Sequence, residues 1–594
     1  MKSVSPEYVE SMEQPLRNLS HINISFGNVD TTAPDDGSWA VTGNEYAWSD
    51  TEIIDVNHRY SGPSYATLEL NRWVGDGTFY VAPDDPAEYV PQGFCSDAMS
   101  DVNGSFSTNP ALTRVFSRTH AIPGLMFYFD TVQGEHPASV RLRLWRNGTR
   151  VFNQTYSGLT ENVLEVLLTD VGEIDTIELA WLKQEAYHRA RLEKVVYGRY
   201  IEFTDENIVS AEYAQDVDPL SRRLPKDSFT FTVIDYDASY DPDNPEGIYS
   251  NIDVHSPISV SFGYELDDGT TEWLTPNRYV LNGKPIVRDY KATFNAVGLL
   301  DTMDGIFSKG VWETKTLYEL AEEVLTDADL DLTAEGDTPW VIDASLANMS
   351  TDNPMPLDTH KNCLQLIAHA AGCYLYTDSE NVIHIEPFDQ SDLLDTPLMD
   401  ITFHSILENS LVVNKTPTLR NLIVEKYWYT PAESRTILSQ FTTTDTEVHV
   451  EFPMASDIQI TVSGGTLTSS SVYAQSADLV LSAGTKVVTI KGYVLTQSSD
   501  TKVFTGDVLG DDDTEKNVLI SNDTMRDALG AQFVNYLGLR STYDLEYRGN
   551  PEIECRDLLS VETNYTPSMN ALVLCLSLRY DGALHGTLKV KGVL

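Results

Sequence analysis

Residues 140–145, Val-Arg-Leu-Arg-Leu-Trp, alternate apolar and polar side chains, and residues 151–156, Val-Phe-Asn-Gln-Thr-Tyr, follow after Asn147-Gly148. Period-two alternation marks a strand with one face on a core. Asn-Gly between two such runs supplies the positive φ that both central residues of a type I′ turn require, so a tight antiparallel hairpin is predicted. A lone hairpin is at best marginally stable in water, which commits this region to a larger antiparallel sheet.

Similar runs recur at short spacing. Residues 21–27 place Ile22, Ile24 and Phe26 on one face, and residues 65–73 (Tyr65 to Trp73) read as a strand before a Gly-Asp-Gly turn at 75–77. With Leu125-Met-Phe-Tyr-Phe-Asp, Ile177-Glu-Leu-Ala-Trp-Leu and Leu192-Glu-Lys-Val-Val-Tyr-Gly, the pattern predicts a jelly-roll-like β-sandwich over 21–200, behind an arm of residues 1–20. Residues 201–309, with Ser228-Phe-Thr-Phe-Thr-Val-Ile and Lys291-Ala-Thr-Phe-Asn-Ala, read as a small separate barrel. The period then changes. Leu317, Leu320, Ala321, Val324 and Leu325 fall on one face of a helix, and Thr316 with Glu319 forms a capping box at its start. A second helix, from Cys363 to Ala371, meets Gly372, a suitable stop. With the strands Cys373-Tyr-Leu-Tyr and Val382-Ile-His-Ile-Glu, and a turn at 378–381, it forms a small α/β domain over 310–398. Residues 399–594 return to β, with a Ser/Thr-rich inserted lobe at about 440–505 and a helix from Thr524 to Leu539. The fold class is therefore mainly β and multidomain. Roughly three to five domains suit 594 residues at about 100–200 per domain.

The formal net charge is −49, from 89 acidic and 40 basic residues. A nucleic-acid binder needs a basic footprint that displaces phosphate counterions, so direct binding to nucleic acid is not expected, and an anionic membrane would be repelled. No apolar run approaches the length of a membrane span, and the N-terminal residues lack the pattern of a signal peptide. Cys95, Cys363, Cys373, Cys555 and Cys575 are odd in number and scattered, which suits buried thiols in a reducing cytoplasm rather than a disulfide framework.

Four features of the sequence bear on chemistry. Asp235, Asp237, Ser239, Asp241, Asp243 and Glu246 have EF-hand ligand spacing, but Tyr240 stands where that loop needs Gly, and Pro242 and Pro245 intrude. An Asx-rich loop is the plainer reading. His360, Cys363, His369 and Cys373 lie mostly on one helix and cannot all converge on a tetrahedral zinc. No nucleophile elbow, zincin, P-loop or dinucleotide motif is present, so no catalytic residue, metal or cofactor is assigned and no enzyme is expected. Trp145, Trp181 and Tyr187 in the sandwich are candidates for stacking on a sugar ring, although filling a core is the commoner use of such residues.

Several segments resemble tail proteins of phages and prophages of Gram-positive bacteria. They are residues 65–77, the block from Ile258-Ser-Val-Ser-Phe-Gly-Tyr to Ala292-Thr-Phe-Asn-Ala, and the C-terminal series of Asn517-Val-Leu-Ile-Ser, the helix through Phe533, Tyr547-Arg-Gly-Asn-Pro and Asp557-Leu-Leu-Ser-Val. The last series is similar to the second barrel of baseplate-hub (tail-tip hub) proteins, with Cys555-Arg556 departing from the usual Gly before Asp557. The resemblance implies two hub-type β-barrel domains, 201–309 and 399–594, around the α/β insert. It implies a homotrimeric ring continuing the tail tube, tail-tube, distal-tail and baseplate partners, and a place in the virion after assembly in the host cytoplasm. Its alternative is a host-recognition protein binding cell-wall glycan through the N-terminal sandwich.

Overall fold

The computed structural model describes residues 2–592 except 15–16, 31–32, 55–63, 74, 76–78, 84–88, 123, 131–132, 169–170, 245–248, 250–251, 253, 255, 268, 329, 331–338, 380, 409 and 507–509. Two units emerge, Ser25–Glu202 and a second made of Met1–Ile24 with Phe203–Leu594. Both are built mainly of β-strands.

In the first unit a five-stranded sheet runs in the order Trp39–Thr42, Ala111–His120, Ile174–Lys183, Ser139–Arg146, Thr149–Ser157. The hairpin forms as the alternation requires. Arg146 pairs with Thr149, and Asn147 (φ 48°) and Gly148 (φ 73°) make the turn. Val140, Leu142 and Leu144 point inward and are fully buried. They share a core with Leu125 and Phe127 of a three-stranded sheet, Val163–Leu167, Gly124–Tyr128 and Lys194–Val196.

Residues 65–73 depart from expectation. Only Ser64–Tyr65 is strand, paired in parallel with Phe79–Tyr80. Beyond it the chain turns, with Asn71 at φ 59°. The alternation there is real but inverted: Thr67 and Glu69 are the buried residues, while Leu68 and Leu70 are exposed. Residues 76–77 of the expected turn lie outside the described residues.

In the second unit one sheet runs through Pro257–Glu265, Arg278–Leu281, Lys291–Val297, Lys226–Ile234, Ile208–Asp216, Met569–Tyr580, Leu584–Gly592, Ser541–Tyr547 and Val412–Lys415. Strand sets expected in two barrels are thus joined at a seam, where residues from Ala211 to Asp216 pair antiparallel with those from Tyr580 back to Cys575. Alternation reveals which face of a strand is apolar but not which strand lies beside it, so the seam leaves no local sequence mark.

The helices follow their local signals. Helix α1 (Pro6–Glu13) is capped by Ser5, whose hydroxyl accepts from the Tyr8 amide at 3.1 Å. Helix α2 (Leu317–Asp327) carries the Thr316/Glu319 capping box. Helix α3 (His360–Ala371) ends at Gly372, whose φ of 66° suits glycine. Helix α4 spans Asp523–Gly538 with Asn522 as its cap. Helices α2 and α3 accompany a three-stranded sheet of Trp340–Ile342, Ile383–Pro387 and Cys373–Thr377. The turn expected at 378–381 is described apart from residue 380.

The arm ties the two sides of the seam together. Ser5 donates its backbone N–H to Glu272 at 2.9 Å, and the Tyr8 hydroxyl donates to Asn550 at 3.0 Å. Arg17 donates to the carbonyls of Arg548 (2.6 Å) and Gly549 (2.8 Å). Tyr8 is fully buried, edge-on to Tyr264 at 5.8 Å. Tyr8→Ala is expected to cost about 3–5 kcal/mol and Tyr8→Phe about 1–2 kcal/mol, the latter for the orphaned Asn550 oxygen, both readable by denaturant unfolding.

Strands Leu419–Pro431 and Lys486–Thr505 pair from Asn421↔Thr505 to Pro431↔Leu495, and a small sandwich stands at their far end. Its core is Phe452, Ala477, Leu479, Leu481, Val488 and Ile490. The Ala474 amide donates to Gly310 (2.8 Å), and the Leu357 amide to the Gln475 side chain (3.0 Å). Excising 440–505 would strip one of the two flanking strands from buried Leu422 and Val424 and leave them only Asp511–Glu515. Excising 432–494 and closing Pro431 to Leu495 with Asn-Gly is expected to leave soluble, folded protein, whereas the wider cut gives insoluble protein; both are read by solubility and circular dichroism.

Candidate functional site

The densest group of buried ionisable side chains lies in the Ser25–Glu202 unit. The turn at 66–73 presents Glu69 and Arg72, the strand Arg189–Leu192 presents Arg191, and His188 immediately precedes that strand. Asp130 and Glu135 follow the strand Gly124–Tyr128. Arg191 grips Glu69 with both terminal guanidinium nitrogens, one at 2.7 Å. The Arg189 amide donates to the same carboxylate at 2.7 Å. Arg72 bridges Asp130 and Glu135, each at 2.7 Å. His188 uses both nitrogens, Nδ1 to Glu135 (3.1 Å) and Nε2 to the Leu70 carbonyl (2.5 Å).

Burial alone would push these carboxyl groups up. The Arg191 guanidinium, the Arg189 amide and Arg72 instead hold Glu69 down to about 2, and His188 with Arg72 holds Glu135 below its usual range. Burial would likewise lower the His188 imidazolium. The Glu135 carboxylate and the Leu70 carbonyl outweigh it and hold the group above its ordinary value.

Ligand atoms of Glu69, Glu135 and His188 lie within 4.8 Å of one another, close enough to invite a metal. The arrangement does not fit one. A metal-bound imidazole offers a lone pair, but both His188 nitrogens face acceptors, so both must donate. The carboxylates are engaged by two guanidinium groups, which would have to leave. The cluster is an ion-pair knot that holds the turn at 66–73 against the strand at 189–192.

The knot sets a pH dependence. The His188 contribution is complete below the ordinary imidazole value of 6.5 and is lost as pH rises through its raised value. The Glu69 contribution is present above 4.5 and is lost as pH falls through about 2. The thermal midpoint of this unit is expected to peak between these windows, and His188→Gln should flatten the alkaline limb. An alkaline limb unchanged by that substitution would contradict the assignment.

The three stacking candidates are not brought together. Trp181 is fully buried against Phe94 (5.3 Å) and Phe129 (6.1 Å), so it fills the core and cannot meet a sugar. It shares its parity with inward-facing Ile177 and Leu179. Trp145 has the parity of Arg141 and Arg143, on the outer face. It pairs with Thr176, whereas Ser139 at the other end of its strand pairs with Lys183. Tyr187 follows Lys183, so it and Trp145 lie toward opposite ends of the strand Ile174–Lys183.

The other constellations resolve into local structure. Asp235 is buried and accepts weakly from the Tyr240 amide, and Asp241 accepts from the Asp243 amide at 2.9 Å, as in Asx turns. Glu246 lies outside the described residues. His360 meets Asp327 at 3.0 Å. His369 Nε2 donates to Glu515 at 3.1 Å while its Nδ1 accepts from Asn517 at 3.0 Å. Burial pushes the Cys363 and Cys373 thiols up to about 12, the state of inert core cysteines. Asp227 is half-buried on the strand Lys226–Ile234, and desolvation raises its carboxyl to about 7 against the hydrogen bond donated by the Asn277 side-chain amide. A groove of about 540 Å³ beside α2 contains Lys309 and Lys315, already paired with Asp327 and Glu323. Among the described residues no helix is long and apolar enough to cross a membrane.

No protein-family model matches the chain, and neither does any curated protein sequence. Solved structures do show likeness. A tail protein from Neisseria meningitidis MC58 aligns over 66% of this chain and 93% of its own, at 8% identity and TM-score 0.38. The 43 kDa tail protein of prophage MuSo2 from Shewanella oneidensis covers the same shares at 8% identity and TM-score 0.36. Prophage tail protein gp18 from Listeria monocytogenes EGD-e aligns over 66% of this chain and 91% of its own, at 9% identity and TM-score 0.34. Likeness this slight settles neither descent nor function.

Proposed function

We propose that the chain is a structural subunit of a phage-type tail tip, a hub component that works through its interfaces and carries no catalytic site. The observation that supports it most is the seam sheet, in which the strands after residue 203 and those at the C-terminal end pair side by side. The hub resemblance is to such strand sets around an α/β insert. At one end of this sheet, Val412–Lys415 pairs only with Ser541–Tyr547 among the described residues, and Val412 and Val413 are exposed. An open apolar edge is a template for a neighbouring strand. The edge strand Asp511–Glu515, by contrast, is blunted by three aspartates. In this reading the open edge meets another copy, and the contact closes as a trimeric ring in the virion, since an unclosed heterologous contact would give filaments. Tail-tube, distal-tail and baseplate proteins are its remaining partners. The glycan-binding alternative has lost Trp181 to the core and has Trp145 and Tyr187 set apart.

Light scattering and electron microscopy of the purified chain test this. A closed trimer is expected, with Val412→Glu/Val413→Glu returning it to monomer. A strict monomer at every concentration, lying off the central axis in tail maps, would contradict the reading. Release of soluble sugars or muropeptides from cell walls, lost on a single carboxylate-to-amide change, would show an enzyme instead.

A further inference from the structure

The five-stranded sheet of the first unit ends on Thr149–Ser157, a nine-residue strand that pairs with Ser139–Arg146 and, among the described residues, with no strand on its other side. The Gly158 amide donates to the Ala138 carbonyl at 3.0 Å, and the register continues through Tyr156↔Val140 and Gln154↔Leu142 to Phe152↔Leu144. In an antiparallel ladder, alternate residues turn both backbone groups to the same neighbour. Phe152, Gln154 and Tyr156 therefore bond to Ser139–Arg146. Asn153, Thr155 and Ser157 point their N–H and C=O groups the other way, and all three residues are exposed. The usual protections of an edge are missing. Val151 to Ser157 holds no charge, proline or glycine. The one register shift lies at the turn end, between Leu144 and Trp145. The opposite edge, Trp39–Thr42, is only four residues long. An exposed segment of this composition pairs with other chains unless something covers it.

We propose that this edge takes up an extended, acidic segment of another protein as an added strand. Alternating N–H and C=O groups at strand spacing are matched by another peptide backbone, and not by a glycan, a nucleic acid or a lipid headgroup. Charge sets the sign of the partner. Ser139–Arg146 and Thr149–Ser157 carry Arg141, Arg143, Arg146 and Arg150 and no acidic residue, in a chain of 89 acidic and 40 basic ones. Arg141 and Arg143 lie on the outer face and share one carboxylate, Glu178, at 3.9 and 3.1 Å. In register they stand beside Thr155 and Asn153. An added strand would lie two strand spacings, about 10 Å, from their backbone, a gap that an arginine and a glutamate side chain close between them. A second copy is disfavoured, because two such edges would bring arginines toward arginines. The inference goes beyond the tail-tip reading and does not rest on it.

The test is fluorescence anisotropy of a labelled synthetic peptide of alternating Glu and Val, titrated with the full chain. Binding is expected. It should weaken about tenfold in Thr155→Pro, which removes one outward N–H, and about tenfold when lysine replaces the glutamates of the peptide. Thr155→Ala should bind as the unaltered chain does. Circular dichroism checks that each variant is folded. A fully N-methylated peptide keeps the charge and the side chains but offers no backbone donor. It should not bind the unaltered chain, a result that depends on no variant. Absence of binding, binding that Thr155→Pro leaves unchanged, or equal binding of the lysine or the N-methylated peptide would overturn the proposal. So would self-association abolished by Thr155→Pro without peptide binding, which would make a second copy the occupant. Dextran sulfate bound in place of the peptide, and lost in Arg141→Gln/Arg143→Gln, would make it an anionic glycan. None of these results bears on the ring, whose proposed edge is Val412–Lys415.

Discussion

The antiparallel pairing of Ile208–Asp216 with Met569–Tyr580 is the contact on which the larger unit depends. It joins residues more than 350 positions apart in sequence. The entropy of closing so long a loop grows only logarithmically, by about 0.6 kcal/mol per doubling, so such a seam is affordable once its strands bury their inward faces. Here Phe229, Phe231 and Tyr213 on one side, and Leu576 and Leu578 on the other, are fully or almost fully buried. The arm adds a second crossing, with Tyr8 and Arg17 reaching residues 548–550 while Ser5 holds Glu272. The α/β module and the lobe are excursions from this sheet.

What could be read in the sequence was local. The Asn147-Gly148 turn, the Thr316/Glu319 box and the stop at Gly372 each depend on a few neighbouring residues, and each forms. The ion-pair knot was missed because its members are spread from Glu69 to Arg191 and converge only through folding. Parity would have sorted two of the sugar candidates: Trp181 keeps step with Ile177 and Leu179, while Trp145 keeps step with Arg141 and Arg143. The turn at 66–73 misled because alternation says that two faces differ and not which one is buried. Buried arginines inverted the usual answer there.

The same economy of charge runs through the molecule. An acidic chain gains solubility from its surface but repels copies of itself and any anionic partner. Contacts are then possible where acid is absent or hidden. The Val412–Lys415 edge carries no acidic residue, and the turn at 66–73 turns its one glutamate inward. The strand Asp511–Glu515 does the reverse and begins with three aspartates, of which Asp512 pairs with Arg420 and Asp513 with Arg222.

Native-state hydrogen exchange across the seam tests the central claim most directly. If one sheet unites the two strand sets, amides of residues 211–216 and 575–580 should exchange in the slowest class and share one dependence on denaturant, because one strand cannot open without the other. Two separate rates with different denaturant slopes, one for each strand set, would show independent barrels and contradict the account.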